Sequence, residues 1–123
     1  MYNVAKVLNT FWNSFGIPAY IEENLPNDVQ LPYITYTLSQ PEWKDTTTLQ
    51  ARVWYKGTGF SQLVEKVDEI SRIIGEGYSV QTEDKNGCVV LFKDINFAQI
   101  QPFTDESQLK VAYLNLIMHA YTN

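Results

Sequence analysis

The segment Leu109 to Tyr121 sets the strictest condition on how this chain folds. It reads Leu-Lys-Val-Ala-Tyr-Leu-Asn-Leu-Ile-Met-His-Ala-Tyr, thirteen residues with no glycine or proline. In an extended strand, side chains alternate between faces, so Val111, Tyr113 and Ile117 share one face. Ala112, Leu114, Leu116 and Met118 share the other. At roughly 3.3 Å per residue the strand spans about 43 Å, beyond the common strand length. A strand apolar on both faces belongs inside a sheet, and something must cover each face. Two readings meet that condition. In one, this is a central strand with helices on one side and a bulge somewhere in the pairing. In the other, part of its second face is covered by another subunit.

The rest of the chain supplies partners for such a strand. Tyr33 to Ser39 places Ile34, Tyr36 and Leu38 against Thr35, Thr37 and Ser39. Thr46 to Lys56 alternates Leu49, Ala51, Val53 and Tyr55 with Thr48, Gln50, Arg52 and Trp54. Both are period-two patterns rich in β-branched and aromatic residues. Residues 17 to 22 read as a short strand with Pro18 at its start. Tyr78 to Glu83 and Cys88 to Lys93 flank Asp84-Lys85-Asn86-Gly87, whose Asn-Gly pair is a hairpin signal. Phe97 to Phe103 is expected to pair with Leu109 to Tyr121 around Thr104 to Gln108.

Two segments have the other period. Val4, Val7, Leu8, Phe11, Trp12 and Phe15 step by three and four along one helix face, which Gly16 and Pro18 stop. Phe60, Leu63, Val64, Val67, Ile70, Ile73 and Ile74 make a second stripe, ended by Gly75 or Gly77. Val7, Phe11, Phe15, Val64, Val67 and Ile70 are the expected helix contribution to the core. The order of elements predicts one α+β domain over residues 1–123, a largely antiparallel sheet with two amphipathic helices packed on it.

Composition narrows the class. Apolar residues make 45% of the chain and aromatics 14%, too much core material for a disordered segment. Nine Lys and Arg against fourteen Asp and Glu give a net charge of −5, the wrong sign for a non-specific nucleic-acid binder. The single Cys88 excludes an intramolecular disulfide and a cysteine-based zinc cluster. No apolar run approaches the roughly seven residues of a signal peptide or the about 20 of a membrane span, so a cytoplasmic chain with no membrane partner is expected.

Candidate chemistry is sparse. His119 is the one histidine and cannot supply a common zinc set, and a surface or edge position is expected for it. Cys88 opens an apolar strand and reads as a buried, inert thiol. The adjacent carboxylates Glu22-Glu23 and Asp105-Glu106 diverge in a strand and are solvated in a loop. Gly57-Thr58-Gly59 lacks the Lys-Ser/Thr of a phosphate loop. No catalytic residue, metal or cofactor is assigned. What remains is surface suited to protein: Trp54 and Arg52 on the polar face of their strand, Trp43 in the Pro41-Glu42-Trp43-Lys44-Asp45 loop, and Tyr113 and Ile117 on the second face of the last strand. Each tryptophan either packs down locally or anchors an interface, where Trp, Tyr and Arg carry binding energy.

Phe11-Trp12-Asn13-Ser14-Phe15-Gly16-Ile17-Pro18-Ala19-Tyr20, followed by Leu31-Pro32-Tyr33-Ile34-Thr35-Tyr36, resembles the small neck and tail proteins of long-tailed bacteriophages. The element order over nearly the whole chain is similar to the tail terminator family, with the specific likeness in residues 11 to 38. The resemblance implies a non-enzymatic virion protein of the tail or neck, assembled in the bacterial host cytoplasm. It implies self-association as a ring, usually a hexamer, that caps the tail tube protein and joins head–tail connector proteins. Head-completion (stopper) proteins are the neighbouring alternative. A small ligand-binding host domain is a further one, and would require a closed apolar pocket with convergent polar groups.

Overall fold

The computed structural model describes residues 2–37, 46–57, 59–81, 87–102 and 108–122. Its helices are α1 (Tyr2–Trp12) and α2 (Ser61–Ile74). Its strands are β1 (Ala19–Ile21), β2 (Tyr33–Tyr36), β3 (Thr46–Lys56), β4 (Tyr78–Gln81), β5 (Gly87–Pro102) and β6 (Leu109–Thr122). They form one sheet in the order β1-β2-β3-β6-β5-β4. The β1–β2 pair is parallel, and the other four neighbouring pairs are antiparallel. The fold is α+β.

β6 is the central strand. It pairs with β3 from Leu109 opposite Lys56 to His119 opposite Thr46, and with β5 from Lys110 opposite Pro102 to Thr122 opposite Gly87. Its length needs a partner equally long, and this corrects the expectation of separate strands at Cys88–Lys93 and Phe97–Phe103. Cys88–Lys93 and Phe97–Pro102 both belong to the sixteen-residue β5, and Phe103 lies outside the described residues. Lys93 faces Leu116 and Ala98 faces Leu114, so Asp94 to Phe97 stand opposite Asn115 alone. The bulge therefore lies in β5 rather than β6. Local polar groups replace the interrupted ladder: Ile95 N–H donates to Asp94 Oδ1 at 2.7 Å, and Asn115 Nδ2 donates to the Asn96 carbonyl at 2.9 Å. Beyond it, β4 meets β5 with Tyr78 opposite Leu91, the antiparallel pairing that the Asn86-Gly87 signal required. Residues 82–86 lie outside the described residues, as do 103–107.

Alternation assigns one face of the sheet to the core. Ile34 and Tyr36 from β2, Leu49, Ala51 and Val53 from β3, Leu114, Leu116 and Met118 from β6, and Val89 and Leu91 from β5 belong to one buried cluster. The buried sides of α1 (Val4, Val7, Leu8, Phe11, Trp12) and α2 (Leu63, Val67, Ile70, Ile74) belong to the same cluster. The Trp12 ring stacks against Tyr36 with centroids 6.2 Å apart, and Phe11 meets Tyr78 at 5.1 Å. Burying a side chain of this size contributes about 1.5–3 kcal/mol, so these contacts dominate the energetics of the core.

Helix ends follow their local signals with small adjustments. α1 gives way at Asn13 to a 3-10 turn that carries Phe15 into the core, and Gly16 then stops the chain at φ 84°. Asn13 Oδ1 accepts the Ala19 N–H at 3.0 Å, which sets the start of β1. β1 is shorter than expected, because Glu22 and Glu23 already turn in a second 3-10 segment. Gly75 closes α2, its N–H donating to the Ser71 carbonyl at 2.9 Å.

Three burial expectations need correction. Val64 is 39% exposed and Ile73 50%, because the stripe that meets the sheet is the narrow set Leu63, Val67, Ile70 and Ile74. A neighbour one residue away sits about 100° round the helix, off that stripe. Cys88 is half-buried rather than buried, with its Sγ 3.2 Å from Ser79 Oγ. Its parity in β5 sends it to the face opposite the core. His119 is half-buried too, but it has strands on both sides and is no edge residue.

Candidate functional site

The second face of the sheet carries the residues that the sequence singled out. Parity places Arg52 and Trp54 of β3 beside Tyr113 and Val111 of β6, with Arg52 opposite Tyr113 and Trp54 opposite Val111. Ile117 lies between Thr48 on β3 and Phe92 on β5. Trp54 and Val111 are buried, yet they stand outside the cluster that the helices join. Among the described residues, one face of the sheet shares its buried cluster with residues of the helices, and the other is lined by strand residues.

Trp54 forms the floor of this second face. It is 9% exposed, and its indole Nε1 donates to Thr35 Oγ1 at 3.1 Å, a hydroxyl itself buried. Tyr33 lies against it at 6.2 Å between centroids, and Tyr20 against Tyr33 at 6.4 Å. These rings form a row across β1, β2 and β3. Of the two readings for Trp54, the structure realises local packing.

Arg52 stands half-exposed above that floor. Its guanidinium lies 5.3 Å from the centre of the Tyr113 ring and 3.2 Å from a Glu22 carboxylate oxygen. With side chains 41% and 36% exposed, the Arg52–Glu22 pair is too solvated to contribute more than a few tenths of a kcal/mol. The arrangement orients the guanidinium more than it stabilises the fold. Further along β6, Phe92 meets His119 edge-on at 5.5 Å, and Tyr121 stacks on His119 at 5.9 Å.

Four of the five candidate residues, Arg52, Trp54, Tyr113 and Ile117, thus share one face on adjacent strands. Trp43 lies outside the described residues. The sequence reading missed Tyr20, Tyr33, Phe92 and Tyr121, although parity with Thr35 would have found Tyr33 and parity with Cys88 would have found Phe92. Burial raises the pKa of the Tyr33 phenol, so it remains a neutral hydrogen-bonding ring at ordinary pH. The six strands hold 52 residues, and at about 3.3 Å by about 4.8 Å each they give the face a footprint of roughly 820 Å². That matches the roughly 800 Å² per partner of a standard protein interface.

Two surface clefts lie elsewhere. One, of about 390 Å³, runs between the end of β3 and α2, lined by Leu31, Pro32, Tyr55, Lys56, Lys66 and Glu69 among others. Lys66 there donates to the Phe15 carbonyl and to Glu69 Oε1, and Tyr55 has its pKa raised chiefly by burial. The other, of about 300 Å³, lies between α1 and β4. No cluster of His, Cys, Asp and Glu able to hold a metal ion occurs among the described residues. No helix among them is long and apolar enough to cross a membrane. No protein-family model matches the chain, and no curated protein matches it either.

Proposed function

We propose that this chain is a non-enzymatic virion subunit of a long-tailed phage, a tail terminator that assembles as a ring and joins the tail tube to the head. The resemblance over residues 11 to 38 supports the family. The observation that carries the role is the second face of the sheet, where half-exposed Arg52 and Tyr113 lie beside the Trp54 floor and half-exposed Ile117 lies further along β6 opposite Thr48, over an interface-sized area. Such a face mixes apolar and polar contact: Gln50 opposite Asn115 separates Tyr113 from Ile117, and Gln99 and Gln101 flank Tyr113 and Val111 on β5. In this reading it meets the end of the tail tube, and the net charge of −5 makes assembly tighter as salt screens repulsion between copies.

The test is electron microscopy of the purified protein mixed with tubes of the cognate tail tube protein. A ring at one end of each tube is expected, lost in Tyr113→Ala and Ile117→Asp variants that keep their circular dichroism. A wild-type protein that stays monomeric with tube ends present and leaves them bare overturns the proposal. Binding to the portal-side adaptor instead of the tube reassigns the chain as a stopper.

A further inference from the structure

We propose that the contact between copies is made by Ile95 of one copy entering the cleft between α1 and β4 of the next. Resting on the reading that the chain assembles with itself, the inference adds which surfaces meet. Ile95 is 95% exposed, the most exposed of the large apolar residues described. It stands on the β5 bulge, where the Asp94 carboxylate accepts its N–H and Asn115 holds the Asn96 carbonyl. The side chain is therefore presented on a hydrogen-bonded backbone, which lowers the ordering cost of binding. A branched aliphatic group held in water at that exposure stabilises nothing in its own copy.

The cleft between α1 and β4 has the complementary character. Val7, Phe11, Tyr78 and Val80 line it, with Lys6 and Gln81 among its polar members. Its volume of about 300 Å³ is ample for one isoleucine, since an apolar cavity of about 150 Å³ already holds a benzene ring. Charge favours the same seating, because Asp94 precedes Ile95 and Lys6 lies at the cleft. With Ile95 so exposed, the cleft of its own copy is not filled by it. Knob and cleft are different surfaces, so the contact is heterologous, the kind that closes into rings when the rotation between copies permits.

Sedimentation of the full chain over a range of concentrations tests this, together with cross-linking. Ile95→Asp is expected to raise the concentration needed for assembly at least tenfold, with an unchanged melting temperature because the site is exposed. Ile95→Cys and Thr10→Cys chains, each in a Cys88→Ser background, are expected to form a disulfide-linked dimer when mixed and oxidised. Assembly unaffected by Ile95→Asp, with no mixed disulfide, overturns the contact and leaves the ring reading standing. A wild-type chain that is monomeric at every concentration, tube ends included, overturns both.

Discussion

Truncating Phe11 to alanine removes the ring on which α1, the 3-10 turn and the edge of the sheet converge. Phe11 is 2% exposed, and its ring lies 4.8 Å from Trp12, 5.2 Å from Phe15 and 5.1 Å from Tyr78. A buried Phe→Ala change costs about 3–5 kcal/mol. The three ring contacts, each worth about 0.5–1.5 kcal/mol beyond burial, favour the upper end of that range. Position favours the lower end, because Phe11 also lines the α1–β4 cleft and water can enter the space it leaves. A loss of about 4 kcal/mol is the balance. At about 2.1 cal/mol/K per residue, unfolding this chain has an entropy near 0.26 kcal/mol/K, so the melting temperature should fall by about 15 °C. Urea titration followed by circular dichroism gives the free energy directly, with the slope checked for two-state behaviour. A loss below about 1 kcal/mol refutes the reasoning and means that the α1 face is not fixed against Tyr78 and the sheet.

The remaining predictions concern the corrected helix face, the tryptophan floor, one backbone position and pH. Val64→Ala should change stability by less than about 0.5 kcal/mol, since the side chain is 39% exposed; a loss above about 2 kcal/mol in a urea titration would restore it to the core. Thr35→Val removes the acceptor of the Trp54 indole and should cost about 1–3 kcal/mol by the same assay, whereas no loss would mean that the bond is unimportant to the floor. Gly16→Ala should cost about 1–2 kcal/mol in thermal unfolding, because φ is 84° and the nearest atom to an added Cβ is Lys66 Nζ at 4.0 Å, leaving the backbone as the source. Burial raises the pKa of Tyr33, Tyr36 and Tyr55 above 10.0, so the stability they supply is complete below about pH 10 and is lost as pH rises through their folded values. Urea midpoints that stay flat above about pH 10 would contradict this.

Local signals were legible in the sequence because one element could satisfy them alone. All six residues of the α1 stripe are buried, and Gly16 ends that segment in the left-handed conformation that the stop required. The alternation of β3 and β6 likewise assigns Leu49, Ala51 and Val53 with Leu114 and Leu116 to one face. Continuity of β5 was not legible locally, since Asp94-Ile95-Asn96 has the composition of a turn. The deciding term is the length of β6, whose fourteen residues hold both halves of β5 in one ladder across the bulge. The width of the α2 stripe also escaped, because four residues meet the sheet where the hydrophobic pattern offered seven.

The second face shows why an aromatic residue on a polar-patterned strand is ambiguous before the neighbours are known. Trp54 alternates with Gln50 and Arg52, which reads as a solvent-facing tryptophan. What buries it is cross-strand: Val111 opposite, Tyr33 beside it, and a Thr35 hydroxyl placed by β2 to accept from the indole. None of these is near Trp54 in sequence except through pairing. Its energy is therefore largely committed to the fold, and truncating it would mix lost stability with lost binding. The half-exposed residues of the same face differ in this respect. Arg52, Tyr113 and Ile117 are each half-exposed, so their truncation changes the surface while the core cluster keeps its members. Tyr113 also carries the guanidinium of Arg52 above its ring, with the Glu22 carboxylate 3.2 Å from that guanidinium, so the group presents a ring and an ion pair side by side. A tyrosine, an arginine and an isoleucine held on paired strands lose little freedom on docking, which is the physical condition for a few residues to dominate an interface.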